Sequence, residues 1–167
     1  MPEASRILVI DLLGGIGDLL MLLPSIHALA RCNPRAELAV LTHAPGTELL
    51  LEDPLVSSVV AAAPHEEAET VSTVLAAYDP DLVVSTTNHG DVPDRIRAHG
   101  CRSITNLWRD PPVNVRVGAR YADILHAEGL VGQVDSTPSV FIRPNELVAA
   151  RRTLASIHRR SGGRWVS

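Results

Sequence analysis

Four consecutive aliphatic residues, Ile7-Leu8-Val9-Ile10, run into a glycine-rich turn, Leu13-Gly14-Gly15-Ile16-Gly17-Asp18. A strand that is apolar on both faces has to be covered on both faces. Parallel sheets crossed over by helices provide that cover. The glycines permit a tight reversal from strand to helix. After the turn, Leu19, Leu22, Leu23, Ile26 and Leu29 recur three and four apart, the spacing of one helical face. Pro24 interrupts that pattern and removes a backbone donor, so the first turns are expected to be kinked or separately set.

The same alternation continues along the chain. Leu38 to Leu41 reads as a second strand ending at Thr42-His43, and Pro45 opens a short helix through Leu51. Val56 to Ala62 is a third strand, and Glu66 to Tyr78 is a helix, acidic at its first turn as the helix dipole prefers. Asp79-Pro80-Asp81 ends it before a fourth strand, Leu82 to Thr86. A helix over Asp91 to His99 stops at Gly100, and Ser103 to Leu107 is a fifth strand. Beyond the loop Trp108 to Pro112, a helix is expected over Val115 to Glu128, capped by Gly129. Ser139 to Ile142 reads as a sixth strand, and Asn145 to Arg160 as a last helix. Ser161-Gly162-Gly163 then reads as a linker, with Arg164 to Ser167 starting another strand. Strand and helix in alternation specify an α/β fold, doubly wound on a mostly parallel sheet.

Length and composition narrow the chemistry. The 167 residues make one domain and at most a fragment of another. The five aromatic residues are Trp108, Trp165, Tyr78, Tyr121 and Phe141, so the core is aliphatic, with Val117, Tyr121, Ile124 and Leu125 on the inner face of their helix. A net charge of −4 argues against a nucleic-acid partner. All 15 basic residues are arginine, which excludes a Walker-type phosphate lysine and a Schiff-base lysine. Cys32 and Cys101 form no CxxC pair, and each reads as a small buried hydrophobe. The most apolar stretch, Ile7 to Ala30, is broken by Asp11, three glycines, Asp18 and Pro24, too interrupted for a membrane span. No export signal is apparent, and a cytoplasmic location is expected.

The glycine turn invites comparison with the dinucleotide fingerprint G-x-G-x-x-G, and fails it. Leu20 stands where the third glycine belongs, and Asp18 puts a carboxylate where a pyrophosphate would sit. The acid that would bind a ribose hydroxyl is missing after the second strand. Asp18 therefore has two readings: a helix cap, or a carboxylate at the edge where open α/β sheets place their ligands. Asn88 and His89 follow the fourth strand at that edge, and His43 ends the second; each reads either as a turn residue or as a ligand contact. His27, His99, His126 and His158 lie on helices at no metal-ligand spacing and are given no role. Arg151-Arg152 and Arg159-Arg160 read as the solvated face of the last helix, or as a contact with anionic lipid or a further domain. There is no G-x-S-x-G nucleophile elbow.

Three segments together resemble the opening of glycosyltransferase family 9, which includes the ADP-heptose:lipopolysaccharide heptosyltransferases. They are Arg6-Ile7-Leu8-Val9-Ile10, Gly14-Gly15-Ile16-Gly17-Asp18-Leu19-Leu20 and Leu23-Pro24-Ser25-Ile26-His27-Ala28-Leu29. The likeness continues through Pro34 to Leu38, Leu49-Leu50 and Asp53-Pro54-Leu55-Val56, and returns at Trp108, at Tyr121 to Leu125 and at Gly129-Leu130. It implies two Rossmann-like domains of the GT-B type facing across a cleft, the first receiving the acceptor and the second the nucleotide-sugar donor. On that resemblance residues 1–142 are the acceptor-side domain, and 143–167 are a linker helix and the start of a donor domain absent from this chain.

The implied activity is inverting sugar transfer from a nucleoside-diphosphate sugar, with ADP-heptose a candidate, to a saccharide or lipid-linked acceptor of the cell envelope. Asp18 would be the general base. Gly14, Gly15, Ile16, Gly17, His43, Asn88 and His89 would lie on the substrate side. No cofactor or metal is implied. The expected partners are the acceptor and the missing domain, with no nucleic acid and at most peripheral membrane contact at the inner leaflet. The half-protein is expected to be inactive alone. A non-catalytic module holding a saccharide or a protein is the alternative.

Overall fold

The computed structural model describes residues 4–160, with side chains to residue 157. The linker at 161–163 and the strand start at 164–167 lie outside the described residues, as do the side chains of His158, Arg159 and Arg160. The strands are β1 (Arg6–Asp11), β2 (Glu37–His43), β3 (Ser58–Ala62), β4 (Leu82–Ser85) and β5 (Arg102–Ile104). The helices are α1 (Ile16–Cys32), α2 (Ala44–Leu50), α3 (Glu67–Tyr78), α4 (Val92–His99), α5 (Val117–Ala127) and α6 (Pro144–Arg160). The five strands form one sheet in the order β3-β2-β1-β4-β5, with every pairing parallel. The order reverses between β1 and β4, so the strand ends there flank the switch point of a doubly wound fold.

Alternation along β1 builds two cores. Ile7 and Val9 join Leu38, Val40 and Val84 under α1 and α5, whose Leu19, Leu22, Leu23, Ile26, Tyr121, Ile124 and Leu125 close that face. Leu8 and Ile10 point the other way, to Ala39, Leu41 and Val83, covered by Val71 and Leu75 of α3 and by Val92 and Ile96 of α4. β1 is therefore buried on both faces, as its unbroken apolar run requires.

Several boundaries differ from expectation, each for a local reason. The helix α1 begins at Ile16 and is one continuous helix through Pro24, so its first turns are not separately set. An interior proline costs about 3 kcal/mol. Five fully buried aliphatic residues on the same helix each contribute about 1.5–3 kcal/mol and outweigh it. β3 starts at Ser58, two residues later than the apolar run. β5 stops at Ile104, because Asn106 takes a left-handed φ of 56° that no strand accommodates. Gly100 and Gly129, at φ 81° and 69°, terminate α4 and α5 as expected. The sixth strand does not form: 139–142 contains no strand. That segment passes over α1 instead, where the Phe141 ring stands edge-on to His27 with centroids 5.8 Å apart, and Arg143 pairs with Glu52. Val140, Phe141 and Ile142 stay exposed, and the run joins no sheet edge. Cys101 is half-buried, but Cys32 is exposed at the end of α1 and is not the buried hydrophobe expected.

The close approach of α5 to α1 rests on one glycine. A Cβ built on Gly118 would lie 2.8 Å from the Met21 carbonyl oxygen, a backbone atom that cannot swing aside. Alanine gains about 1 kcal/mol of helix propensity over glycine, whereas overpacking costs about 1–3 kcal/mol. Gly118→Ala is therefore expected to lower the urea midpoint, a net loss of up to about 2 kcal/mol. A raised midpoint would show that the two helices can separate at no cost.

Candidate functional site

The carboxyl ends of β1, β2 and β4 bring polar groups to the switch point. Asp11 ends β1 beside Thr42 of β2, while Ser85, Thr86 and Thr87 leave β4 on the other side. All five are buried. Burial of polar groups demands partners, and threonine hydroxyls supply them. Thr86 Oγ1 donates to Asp11 Oδ1 at 2.6 Å, and the Thr86 N–H donates to the Ile10 carbonyl at 3.1 Å. The Leu12 N–H donates to Thr87 Oγ1 at 2.9 Å, and the Thr87 N–H to Ser85 Oγ at 3.1 Å. The exit of β1 is thereby laced to the exit of β4. Burial is the main cause that raises the Asp11 carboxyl above the ordinary aspartate range; the nearby Asp18 carboxylate adds to it, and the Thr86 hydroxyl opposes it.

The glycine turn rises from this floor. Gly14 takes φ 128°, open to glycine and strained for other residues, and nothing stands within 4 Å of a Cβ placed there or on Gly17. Gly15 is the N-cap of α1, and its N–H donates to Asp18 Oδ2 at 3.2 Å. That is half of a capping box, since glycine has no side chain to return the bond. Ile16 opens the first turn and is exposed. Asp18 is half-buried: it caps, and it also borders the cluster, bearing electrostatically on Asp11 and on Tyr121.

The remaining expected residues are unevenly placed. His43 is half-buried at the N-cap of α2, its Nδ1 3.4 Å from the Ala62 carbonyl, and it bears on Asp11. Asn88 is exposed and reaches toward β5, with its Nδ2 donating to Asn106 Oδ1 at 3.4 Å. His89 is exposed in the same turn. The structure thus gathers Asp18 and His43 around Asp11, with Asn88 turned toward the neighbouring strand.

Sequence reasoning passed over three groups. Asp11 appeared only as an interruption, although a carboxylate closing a wholly apolar strand was the available signal. Tyr121 was assigned to the core, which it joins; burial and the charges of Asp11 and Asp18 push its pKa up to about 12. His27 was given no role, yet its Nε2–H donates to Asp53 Oδ2 at 2.6 Å with both side chains almost fully buried. Asp53 also accepts the Leu55 N–H at 3.0 Å, so the pair fastens the chain after α2 to α1.

A recess of about 890 Å³ opens at the opposite, amino edge of the sheet, lined in part by Ser5, Asn33, Asp81 and Arg102. Its carboxylate is already consumed: Asp81 Oδ2 accepts the N–H groups of Ser5 and Arg6 at 2.8 and 2.9 Å, which lowers its pKa. Those bonds anchor the start of β1. Since open α/β sheets bind ligands at their carboxyl ends, the switch-point cluster is the stronger candidate.

Known proteins with this fold are found by structure. Glycosyl transferase family 9 from Veillonella parvula DSM 2008 superposes with a TM-score of 0.72 at 13% identity, over 91% of this chain and 49% of that one. The fold is that of the family 9 glycosyltransferases. The E. coli heptosyltransferase WaaC, solved with ADP, superposes with a TM-score of 0.58 at 13% identity, over 80% of this chain and 51% of that one. The chain therefore spans about half the length of these structures. No family model and no curated protein matches the sequence. Among the described residues, no helix is long and apolar enough to cross a membrane.

Proposed function

We propose that this chain is the acceptor-side half of an inverting glycosyltransferase, residues 1–142 forming the acceptor domain and 143–167 leading to a donor domain. The reaction moves a sugar from a nucleoside-diphosphate donor, ADP-heptose among the candidates, to a hydroxyl of a saccharide or lipid-linked acceptor. No metal or cofactor takes part. The acceptor is met on the cytoplasmic side, with peripheral membrane contact at most, as cell-envelope glycan synthesis would require.

The carrying observation is the position of Asp18, a half-buried carboxylate at the switch point, beside glycines whose outer faces are open. Inverting transfer needs a base that takes the acceptor hydroxyl proton as that oxygen attacks the anomeric carbon and the diphosphate leaves. In this reading Asp18 is that base. Gly14, Gly15, Ile16 and Gly17 let the acceptor approach the backbone, and His43, Asn88 and His89 line the rim.

Two titrations of the purified chain test this. Neutral saccharides should shift the backbone amide resonances of Gly14 to Asp18. An ADP-sugar should show no saturable binding by calorimetry up to millimolar concentration, because the diphosphate is held by the other domain. Turnover by the 167-residue chain without a second domain would overturn the two-domain reading.

A further inference from the structure

We propose that α6 is an association helix through which two copies of this chain pair in parallel register. Leu147, Ala150 and Leu154 form the seam, and Glu146 of each copy faces Arg151 of the other. This stands apart from the acceptor reading and uses none of its residues.

The helix is 17 residues long, and every residue from Pro144 to Ala155 is exposed. Leu147, Val148, Leu154 and Ile157 are 42–58% exposed, whereas α1 and α5 sink Leu19, Leu22, Ile124 and Leu125 into the core. A helix in water draws most of its stability from packing an amphipathic face rather than from propensity. This one is tied down at its start, where Arg143 pairs with Glu52 and donates its N–H to Glu146 Oε2 at 3.2 Å. Its apolar side is left for another surface to cover.

The pattern on α6 says which surface. Leu147, Ala150, Leu154 and Ile157 are spaced three, four and three apart, the a and d positions of a two-stranded coil. That seam is narrower than the broad apolar face which packs a helix onto a sheet. Arg152 falls on the opposite side of the helix. Glu146 and Arg151 flank the seam at g and e positions. In a parallel pair the g residue of one helix faces the following e residue of the other, so two Glu146–Arg151 pairs form across the seam. Antiparallel pairing sets g against g and e against e, and separates them. The Glu146 carboxylate that accepts the Arg143 N–H keeps further lone pairs for an arginine. Anionic lipid is the other cover that suits an arginine-bearing amphipathic helix. It would face Glu146 with like charge at the edge of the seam, where a second copy offers Arg151. So short a seam belongs to the small, transient class of interfaces, below about 1,200 Å².

Sedimentation equilibrium of the whole chain tests this, with half-dimerisation expected near ~0.1 mM. Leu154→Asp should remain monomeric up to ~1 mM, because it puts two carboxylates into the seam. Its melting temperature should stay within ~2 °C of the parent, since Leu154 is exposed and leaves the core intact. Arg151→Glu turns two attractions into two repulsions and should weaken the dimer by about 10-fold. Adding Glu146→Arg to that variant should bring the dimer back to within ~3-fold of the parent, the remainder being the lost Arg143 contact. A parent chain that stays monomeric at ~1 mM would overturn the proposal. So would a dimer indifferent to Leu154→Asp, which would place the contact elsewhere. Failure of the double variant to recover would overturn the parallel register. Flotation of a monomeric chain with vesicles of phosphatidylglycerol and phosphatidylcholine, lost in Leu154→Asp, would assign the helix to lipid instead.

Discussion

Asp53→Ala is expected to destabilise the fold by about 3–5 kcal/mol, the loss seen when one partner of a buried polar pair is removed and the other is stranded. His27 and Asp53 are 3% and 2% exposed at their side chains, with 2.6 Å between Nε2 and Oδ2. Neither has water to fall back on. The truncation also removes the acceptor for the Leu55 N–H, which starts the chain toward β3. In urea the midpoint should fall by more than ~1 M, given a slope of about 1–3 kcal/mol/M for a domain of this size. His27→Ala should cost a similar amount. The double variant should cost much less than the two losses added together, because each single change strands the same partnership. A shift under ~1 kcal/mol for Asp53→Ala would mean that the pair contributes nothing beyond its burial.

That pair shows where sequence reasoning stops. The central strands were legible because β1, β2 and β4 are buried on both faces and therefore written as unbroken apolar runs. Helix ends were legible where a residue must adopt positive φ, as at Gly100 and Gly129. Segment 139–142 was misread because an apolar run carries no mark of whether anything covers it, and here Val140, Phe141 and Ile142 stay exposed. In the site, Asp18 could be found because it sits next to its glycines in the chain. Asp11 and Thr86 meet across 75 residues, and only the parallel register of β1 with β4 brings them together. Tyr121 belongs to a helix whose apolar spacing explains it completely as core.

The other large effect concerns Asp18 itself. In a longer chain that carries the transferase activity, Asp18→Asn is expected to lower turnover by ~10²–10⁴, the usual contribution of a positioned proton acceptor. That corresponds to about 3–5 kcal/mol of barrier. The fold should survive, because the cap contact at Gly15 needs only an acceptor oxygen at 3.2 Å, and the asparagine amide retains one. What asparagine cannot do is take a proton. The choice between the two carboxylates of the site follows from access. Asp11 is 2% exposed and occupied by Thr86, whereas Asp18 is half-buried at a turn whose Gly14 and Gly17 leave open space. Of the two, Asp18 is the one a ligand hydroxyl could reach. Measuring kcat alongside the melting temperature separates base from cap: a lost cap lowers the melting temperature, and a lost base lowers kcat at unchanged stability. Near-normal kcat in Asp18→Asn would leave Asp18 a helix cap, and the proton would have to be taken by another group at the switch point.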